Sequence, residues 1–401
     1  MGTITTDPGQ RTHASGTPDP VEAARSLIPL LAEEAPRTED ARRLTDTTLT
    51  ALREAGLFRL GTPAVYGGHG AGARTAVEVC EELARGCAAA SWIVGIAYGG
   101  NLFASQLADP ERATLWAHDP DTFVCGSANP SGTSRRSGDG WVLTGNWPWI
   151  SGIHHAPWTL LGHAWTDDDG ATQRGMCLVP TSELTVDDVW HVAGMRGTGS
   201  NTAVADEVFV PGSRTIGLAD MADGTYHLRH PGEPRLTFHL SINLPLVATA
   251  VGIAAATLDH VVRAAVGGKR AVSPLHRLVA EAPSHQLNVA DAATLTDTAR
   301  LHLGRAADEV DARAREGDRP ALADRARLRM DAAHAMRCAR DAVSLLLDTA
   351  GAGSFADGSV LQRAWRDIET ASRHAALSVQ TSKELYGRAL LGAPLPSNPA
   401  I

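Results

Sequence analysis

Cysteine is scarce in this 401-residue chain, and the five present, Cys80, Cys87, Cys125, Cys177 and Cys338, stand at irregular spacing. An odd, scattered set without a CxxC or Cys/His cluster excludes a disulfide framework and a metal site, and points to a reducing, cytoplasmic setting. Positive charge is also short: 36 Lys and Arg against 45 Asp and Glu leave a formal net charge of -9. With no basic stripe, nucleic acid is not an expected partner. Long hydrophobic runs are missing too. The longest, residues 244–258, is broken by Pro245, Thr249, Gly252 and Thr257, which falls short of a membrane span and reads as a buried helix. The first twenty residues, rich in Thr, Gly, Pro and Asp, lack the apolar core of a signal peptide and read as a flexible tail. No Rossmann-type glycine fingerprint occurs, so the chain has no visible unit for a nicotinamide nucleotide.

What remains is an ordinary soluble composition, 43% hydrophobic and 20% charged, long enough for two or three compact units. Over residues 21–120 apolar side chains recur at three- and four-residue spacing, the signature of helices, with breaks at Gly56, Pro63 and Gly67-Gly68. Over residues 121–218 the pattern turns to alternation. Strands are predicted at 141–144, 158–164, 175–180 and 203–210, with hairpin turns at Ser137-Gly138-Asp139-Gly140 and Asp167-Asp168-Asp169-Gly170. After a polar connection, helical periodicity returns over residues 235–392, with helices expected at 240–266, 284–316, 320–350 and 367–390. Four long helices with short breaks suggest a bundle. The fold class read from this order is α+β, mainly α: a helical domain, a middle β domain and a C-terminal four-helix bundle.

Several segments could carry chemistry. Residues 125–133 (CGSANPSGT) form a Gly/Ser-rich loop that can approach a flat ring closely, or simply turn between strands. Residues 145–158 (GNWPWISGIHHAPW) hold Ser151, His155 and three tryptophans, which as plain residues are strand aromatics around a satisfied histidine. Residues 190–200 (WHVAGMRGTGS) lead into Val208-Phe209-Val210-Pro211. Near the end come Ala350-Gly351-Ala352-Gly353-Ser354, then Trp365-Arg366-Asp367 and His374. On residue type alone His374 is a core histidine of a bundle helix, and Arg270 a solvated one.

Together with Glu54-Ala55-Gly56-Leu57-Phe58 and Tyr66-Gly67-Gly68, these segments resemble the acyl-CoA dehydrogenase superfamily across nearly the whole chain. Residues 145–158 resemble the two-component flavin hydroxylases within it, such as the p-hydroxyphenylacetate hydroxylases. The resemblance implies the acyl-CoA dehydrogenase fold, with a barrel-like β domain. It also implies reduced FAD or FMN delivered by diffusion from a separate flavin reductase, dioxygen as co-substrate, and a dimer or tetramer. It further implies hydroxylation of an apolar aromatic or heteroaromatic molecule through a flavin C4a-hydroperoxide. Ser151 then supports the flavin N5, and Asn129, Ser131 and Trp190 line the ring. Arg270, Gly351 and Gly353 lie at the flavin phosphates or adenosine, Arg270 by way of a neighbouring subunit. His374 serves as base or oxygen-side partner, because an imidazole titrating near neutrality can take the proton of a phenol or an indole-like N–H.

Two departures stand out. Dehydrogenases of this superfamily place a catalytic Glu about nine residues after the Arg, where this chain has Ala375, and residues 234–258 contain no Asp or Glu at all. Both places for the carboxylate are vacant, which turns the reading from dehydrogenase to oxygenase. Many of the hydroxylases also carry a histidine on an N-terminal helix, where this chain has Gly100 and Asn101. Tyr98, Asn101 and His155 are the residues expected to meet substrate instead. N-oxygenation of an amine or amino sugar, sulfoxidation, dehydrogenation and a non-enzymatic relative that has lost the flavin are the alternatives that the same frame allows.

Overall fold

The computed structural model describes residues 19–167, 169–223, 230, 242–271, 273–317 and 320–395. Most of the N-terminal tail and of the polar connection before the bundle lies outside these residues. Asp19 caps α1 (Pro20–Ala41), its carboxylate accepting the Val21 N–H at 2.8 Å, and Thr45 caps α2 (Asp46–Glu54) in the same way. Next come α3 (Ala73–Ala84), α4 (Ala88–Ala104) and α5 (Asp109–Trp116). Helix α4 is apolar nearly all round, and almost every residue in it is buried. It is therefore the helix about which the others pack.

Eight strands follow, in two four-stranded sheets. The first has the order β1 (Val124–Ser127), β4 (Trp158–Thr166), β5 (Thr172–Pro180), β8 (Thr215–Gly217). The second runs β2 (Gly132–Ser137), β3 (Gly140–Ile150), β7 (Asn201–Pro211), β6 (Thr185–Asp187). Among the described residues only β1 and β4 pair in parallel. The two expected hairpins are present, with Gly138 and Gly170 at positive φ. Strands β1, β2, β6 and β8 escaped the pattern reading. β6 and β8 are three residues long, and β2 is Gly-Thr-Ser-Arg-Arg-Ser, with no apolar side chain to alternate.

A short helix, α6 (Leu218–Asp223), closes the β region. The C-terminal helices are α7 (Leu244–Val266), α8 (Pro283–Glu316), α9 (Leu322–Ala350), α10 (Val360–Ala371) and α11 (Val379–Leu390). Helix α7 has the length and composition to cross a membrane, but 72% of its apolar window is buried inside the fold. It lies so close to α3 that a Cβ on Gly252 would stand 2.2 Å from the Glu81 carbonyl oxygen. Beside it, Ser91 of α4 bonds Thr249 at 2.7 Å. The single helix expected over 367–390 is in fact two. Ser378 caps α11 by accepting the Thr381 N–H, and the intervening turn holds His374. A capping serine amid helical periodicity is a stop signal that the apolar spacing hides.

All five cysteines are buried and unpaired. Burial pushes the thiols of Cys80, Cys125 and Cys177 up to about 12 and that of Cys87 to about 11, which leaves them unreactive. His163 is more unusual. It stacks on Trp165 at 4.7 Å and meets Trp141 edge-on at 5.2 Å, and both ring nitrogens are buried without a hydrogen-bond partner. Burial lowers its pKa to about 4. A folded pKa below the ordinary value means the unfolded chain binds more protons. The native state therefore keeps its full stability above about pH 6.5 and loses it as pH falls toward 4. Going from pH 7 to pH 5, this one imidazole costs about 2 kcal/mol. His163→Phe removes that cost, so a plot of unfolding free energy against pH should be flatter over this interval in the variant. Parallel curves for variant and parent would show that His163 titrates normally.

Candidate active site

The site is assembled where the end of β3 meets α4. The β3–β7 pairing carries two bulges, the second between Trp147 and Ile150, and Trp149 there takes a positive φ of 64°. Bulges re-aim the strand that carries them. Here the strand end is turned so that Ile150 pairs with Asn201, which brings the next residue outward, Ser151, opposite Ser200. The two hydroxyls are 2.7 Å apart. Ser200 in turn bonds Thr198 at 2.7 Å, and Thr198 donates to the Met195 carbonyl at 2.8 Å. On its other side Ser151 accepts the indole N–H of Trp92, from α4, at 3.2 Å. The hydroxyl makes two bonds and keeps one lone pair uncommitted.

Trp92 also reaches His374. The two rings meet edge to face with centroids 5.7 Å apart. One indole thus bridges the two residues expected to do the chemistry. His374 keeps solvent-exposed surface while protein packs closely around it. That enclosure lowers its pKa from 6.5, so the imidazole is neutral at physiological pH and free to accept a proton.

Residues 190–200 hold the site against α10. Met195 sits in the left-handed region at φ 54°, with its N–H on the Asp367 carboxylate at 2.5 Å. Burial pushes the Asp367 carboxyl up to about 6, the Met195 N–H partly offsetting this. The Met195 carbonyl accepts from Thr198 and from the Trp190 indole N–H at 3.1 Å. Arg366 pairs with Glu39 of α1 at 2.6 Å and donates to the Ala193 carbonyl. A Cβ on Gly194 would stand 1.9 Å from the Arg366 carbonyl oxygen.

The structure therefore joins Ser151, Trp190 and His374 in one neighbourhood. Asn129 and Ser131 lie in the exposed loop between β1 and β2, where the Ser131 N–H bonds the Asn129 carbonyl at 2.9 Å. His155 follows Ser151 closely; burial and then His154 lower its pKa to about 4, and its Nε2 is buried without a partner. Arg270, Gly351 and Gly353 form a separate group. Lys269 donates to the Ala350 carbonyl at 3.1 Å and so ties the end of α7 to the glycine-rich turn after α9. From Thr249 to that end is about 25 Å along the helix axis.

Two expectations are corrected. Asn101 is fully buried, and its amide is used up inside the fold. It donates to Phe58 O, Thr62 Oγ1 and Thr122 O and accepts from the Val124 N–H at 3.0 Å, so it fastens α4 to β1 and has nothing to offer a substrate. Tyr98 is 1% exposed, and burial together with Asp311 and Cys80 raises its pKa. It is enclosed within the fold and keeps its proton. Among the residues that sequence reasoning missed, Trp92, Thr198, Ser200 and Asp367 are the important ones. The last three lie inside segments that were singled out for the fold and the flavin neighbourhood, though not for these residues. Trp92 carried no signal beyond being an aromatic on an apolar helix.

The donor set fits a reduced flavin. Ser151 offers a spare acceptor, and the partly exposed Trp190 an aromatic side chain. The Ser354 hydroxyl is buried without a partner between glycines whose missing side chains face open space. The fold and this site define a flavin-dependent enzyme of the acyl-CoA dehydrogenase type. The families described as Acyl-CoA dehydrogenase, N-terminal domain, and Acyl-CoA dehydrogenase, C-terminal domain, match residues 22–108 and 244–379. The oxygenase subunit HsaA of a flavin-dependent monooxygenase from Rhodococcus jostii is 31% identical, over 92% of this chain and 97% of its own. The oxygenase component of the FADH2-dependent resorcinol hydroxylase of a Rhizobium species is 30% identical, over 90% of this chain and 91% of its own. The structure of XiaF from a Streptomyces species, in complex with FADH2 and glycerol, superposes with a TM-score of 0.87 at 32% identity, covering 94% of this chain and 97% of that one. This chain belongs to the oxygenase subunits of the two-component flavin-dependent monooxygenases. It is an enzyme that works with reduced flavin made by a separate reductase.

The fit of residues 190–200 to α10 has a direct test. Gly194→Ala forces a methyl into the Arg366 carbonyl, and overpacking of this kind costs about 1–3 kcal/mol. The variant should melt earlier and lose flavin affinity together, since the displaced Met195 carries the hydroxyl chain. Unchanged flavin affinity in the variant would separate this loop from the site.

Proposed function

We propose that this enzyme hydroxylates a small phenolic or heteroaromatic substrate with reduced FAD, and that Ser151 and His374 divide the work. The observation that carries the reading is the Trp92 indole, bonded to Ser151 at 3.2 Å and packed on His374 at 5.7 Å. It sets a flavin-facing hydroxyl and a proton-accepting imidazole within the span of a single side chain. Bound reduced flavin supplies the activation of dioxygen. Ser151 holds the ring at N5, while the buried walls around it, Trp92, Ile150 and Ile153, exclude water. His374, neutral because its surroundings disfavour charge, takes the phenol or N–H proton at an imidazole nitrogen as the ring becomes a nucleophile. A phenol is favoured because the resorcinol hydroxylase, by its name, takes one. FAD is favoured because that relative and XiaF are both named with FADH2. Dehydrogenation is disfavoured by Ala375 and by the employment of the nearby carboxylates: Asp367 holds the Met195 N–H and Glu369 pairs with Arg373.

The remote group of Arg270, Gly351 and Gly353 suits the phosphate end of a flavin held by a second copy of the chain. Exposed Val266 and Leu275 beside it offer apolar area for that contact. The working form is therefore at least a dimer, and light scattering that returns a monomer at micromolar concentration would count against it.

Single-turnover assays under oxygen separate the two residues. Ser151→Ala should release hydrogen peroxide at the expense of product while substrate still binds. His374→Ala should lower product formation by about a hundred- to ten-thousandfold, the usual cost of a lost general base. Near-normal product formation by His374→Ala would make the imidazole a packing partner of Trp92, with His155 the next candidate.

A further inference from the structure

The hydroxyl chain behind Ser151 is favoured in one direction. The Met195 carbonyl oxygen also accepts from the Trp190 indole and from the Thr198 N–H, each at 3.1 Å, but a Thr198 hydroxyl 2.8 Å away that kept its proton elsewhere would meet it lone pair to lone pair, so Thr198 gives it its only proton. Thr198 then has only lone pairs left for Ser200, and the Ser200 hydroxyl donates to it across 2.7 Å. By the same count Ser151 donates to Ser200 across 2.7 Å. The Trp92 Nε1 is a donor only, and it fills one lone pair of Ser151 at 3.2 Å. All four side chains are buried, with exposures of 5% for Trp92, 7% for Ser151, 4% for Ser200 and 2% for Thr198. Water has little room to substitute for any member, and reversal of the chain sets the Thr198 oxygen against the Met195 carbonyl oxygen, lone pair to lone pair at 2.8 Å.

We propose that this polarity makes Ser151 an obligate acceptor and thereby sets the site's preference for reduced over oxidised flavin. The inference rests on the reading of Ser151 as the partner of the flavin N5. Reduced flavin carries N–H at that position and meets the spare lone pair of Ser151. Oxidised flavin carries a bare ring nitrogen there, and two lone pairs face each other unless Ser151 withdraws its proton from Ser200. Trp92, Thr198 and Ser200 are positioning residues: they act on the flavin only through the direction of the Ser151 O–H. The chain ends on Met195, whose left-handed backbone and bond to Asp367 fix the terminal carbonyl. Selection of the redox state is thus relayed from α10 through residues 195–200 to the flavin ring.

Anaerobic titration of the full-length protein with FADH2 and with FAD, followed by flavin fluorescence and by calorimetry, tests the proposal. The parent should bind FADH2 more tightly. Thr198→Val, almost isosteric, removes the acceptor for Ser200. Ser200 then turns its proton to Ser151, and Ser151 turns its own into the site. The ratio of FADH2 to FAD affinity should fall on the order of tenfold, the worth of one hydrogen bond gained or lost. The bound flavin's midpoint potential should drop by about 30 mV for each tenfold. Ser200→Ala, which removes the acceptor of Ser151 directly, should shift the ratio the same way. Thr198→Ser, which keeps the hydroxyl, should keep the ratio. A parental ratio in both Thr198→Val and Ser200→Ala, while Ser151→Ala weakens flavin binding, would overturn the polarity argument and leave the role of Ser151 standing. Ser151→Ala with both affinities unchanged would overturn that role and the polarity argument with it.

Discussion

The peptide group of Met195 is the point on which the site depends. Its N–H is held by a buried carboxylate of α10, and its carbonyl takes protons from Thr198 and Trp190. A left-handed backbone at a non-glycine residue costs energy that local sequence does not return. Here it is offset by charge-assisted and buried hydrogen bonds on the two peptide groups that flank Met195. Without the Asp367 bond, the Met195 backbone loses its buried anchor on α10, and with it Thr198 and Ser200 lose their fixed place behind Ser151.

The same constraint links three parts of the chain that are far apart in sequence. Helix α4 contributes Trp92, the bulged end of β3 contributes Ser151, and α10 with its following turn contributes Asp367 and His374. Each is positioned by a different force. Helix α4 is fixed by burial over nearly its whole circumference, and β3 by ladder register with β7. α10 is fixed by the Arg366–Glu39 pair and by the close approach of Gly194 to the Arg366 carbonyl. The chemistry of the family needs a flat, dry space bounded by one acceptor and one base, and three independently anchored elements can hold such a space without a metal or a disulfide.

Much of this was legible beforehand because it is periodic or local. The switch from helical spacing to alternation and back marked where strands and helices lie, and the glycine turns at Gly138 and Gly170 announced their hairpins. Vacancy was legible too: Ala375, and the absence of Asp or Glu over residues 234–258, turned the reading from dehydrogenase to oxygenase. Asn101 and Tyr98 show where such reasoning stops. Both lie on α4, and only the packing of the helix decides which of its faces meets β1, which meets α3 and α7, and which meets the site. Asn101 reads as a polar residue available for substrate until its four hydrogen bonds are seen to close inward.

By itself the sequence determined the class of chemistry, because residue identity at matched positions, a serine after β3 and an alanine, with a histidine beside it, where a glutamate would serve a dehydrogenase, does not depend on coordinates. Element type followed for the same reason: periodicity is a property of order along the chain. The tertiary structure alone decided who stands next to whom. That Trp92 bridges Ser151 and His374, that α10 stops before His374, and that four protons line up from an indole to the Met195 carbonyl are consequences of register, capping and close packing between segments about 50 to 280 residues apart. Hydrogen-bond direction is the finest of these. It arises from counting protons around a closed set of neighbours, and a linear sequence does not say which neighbours close the set.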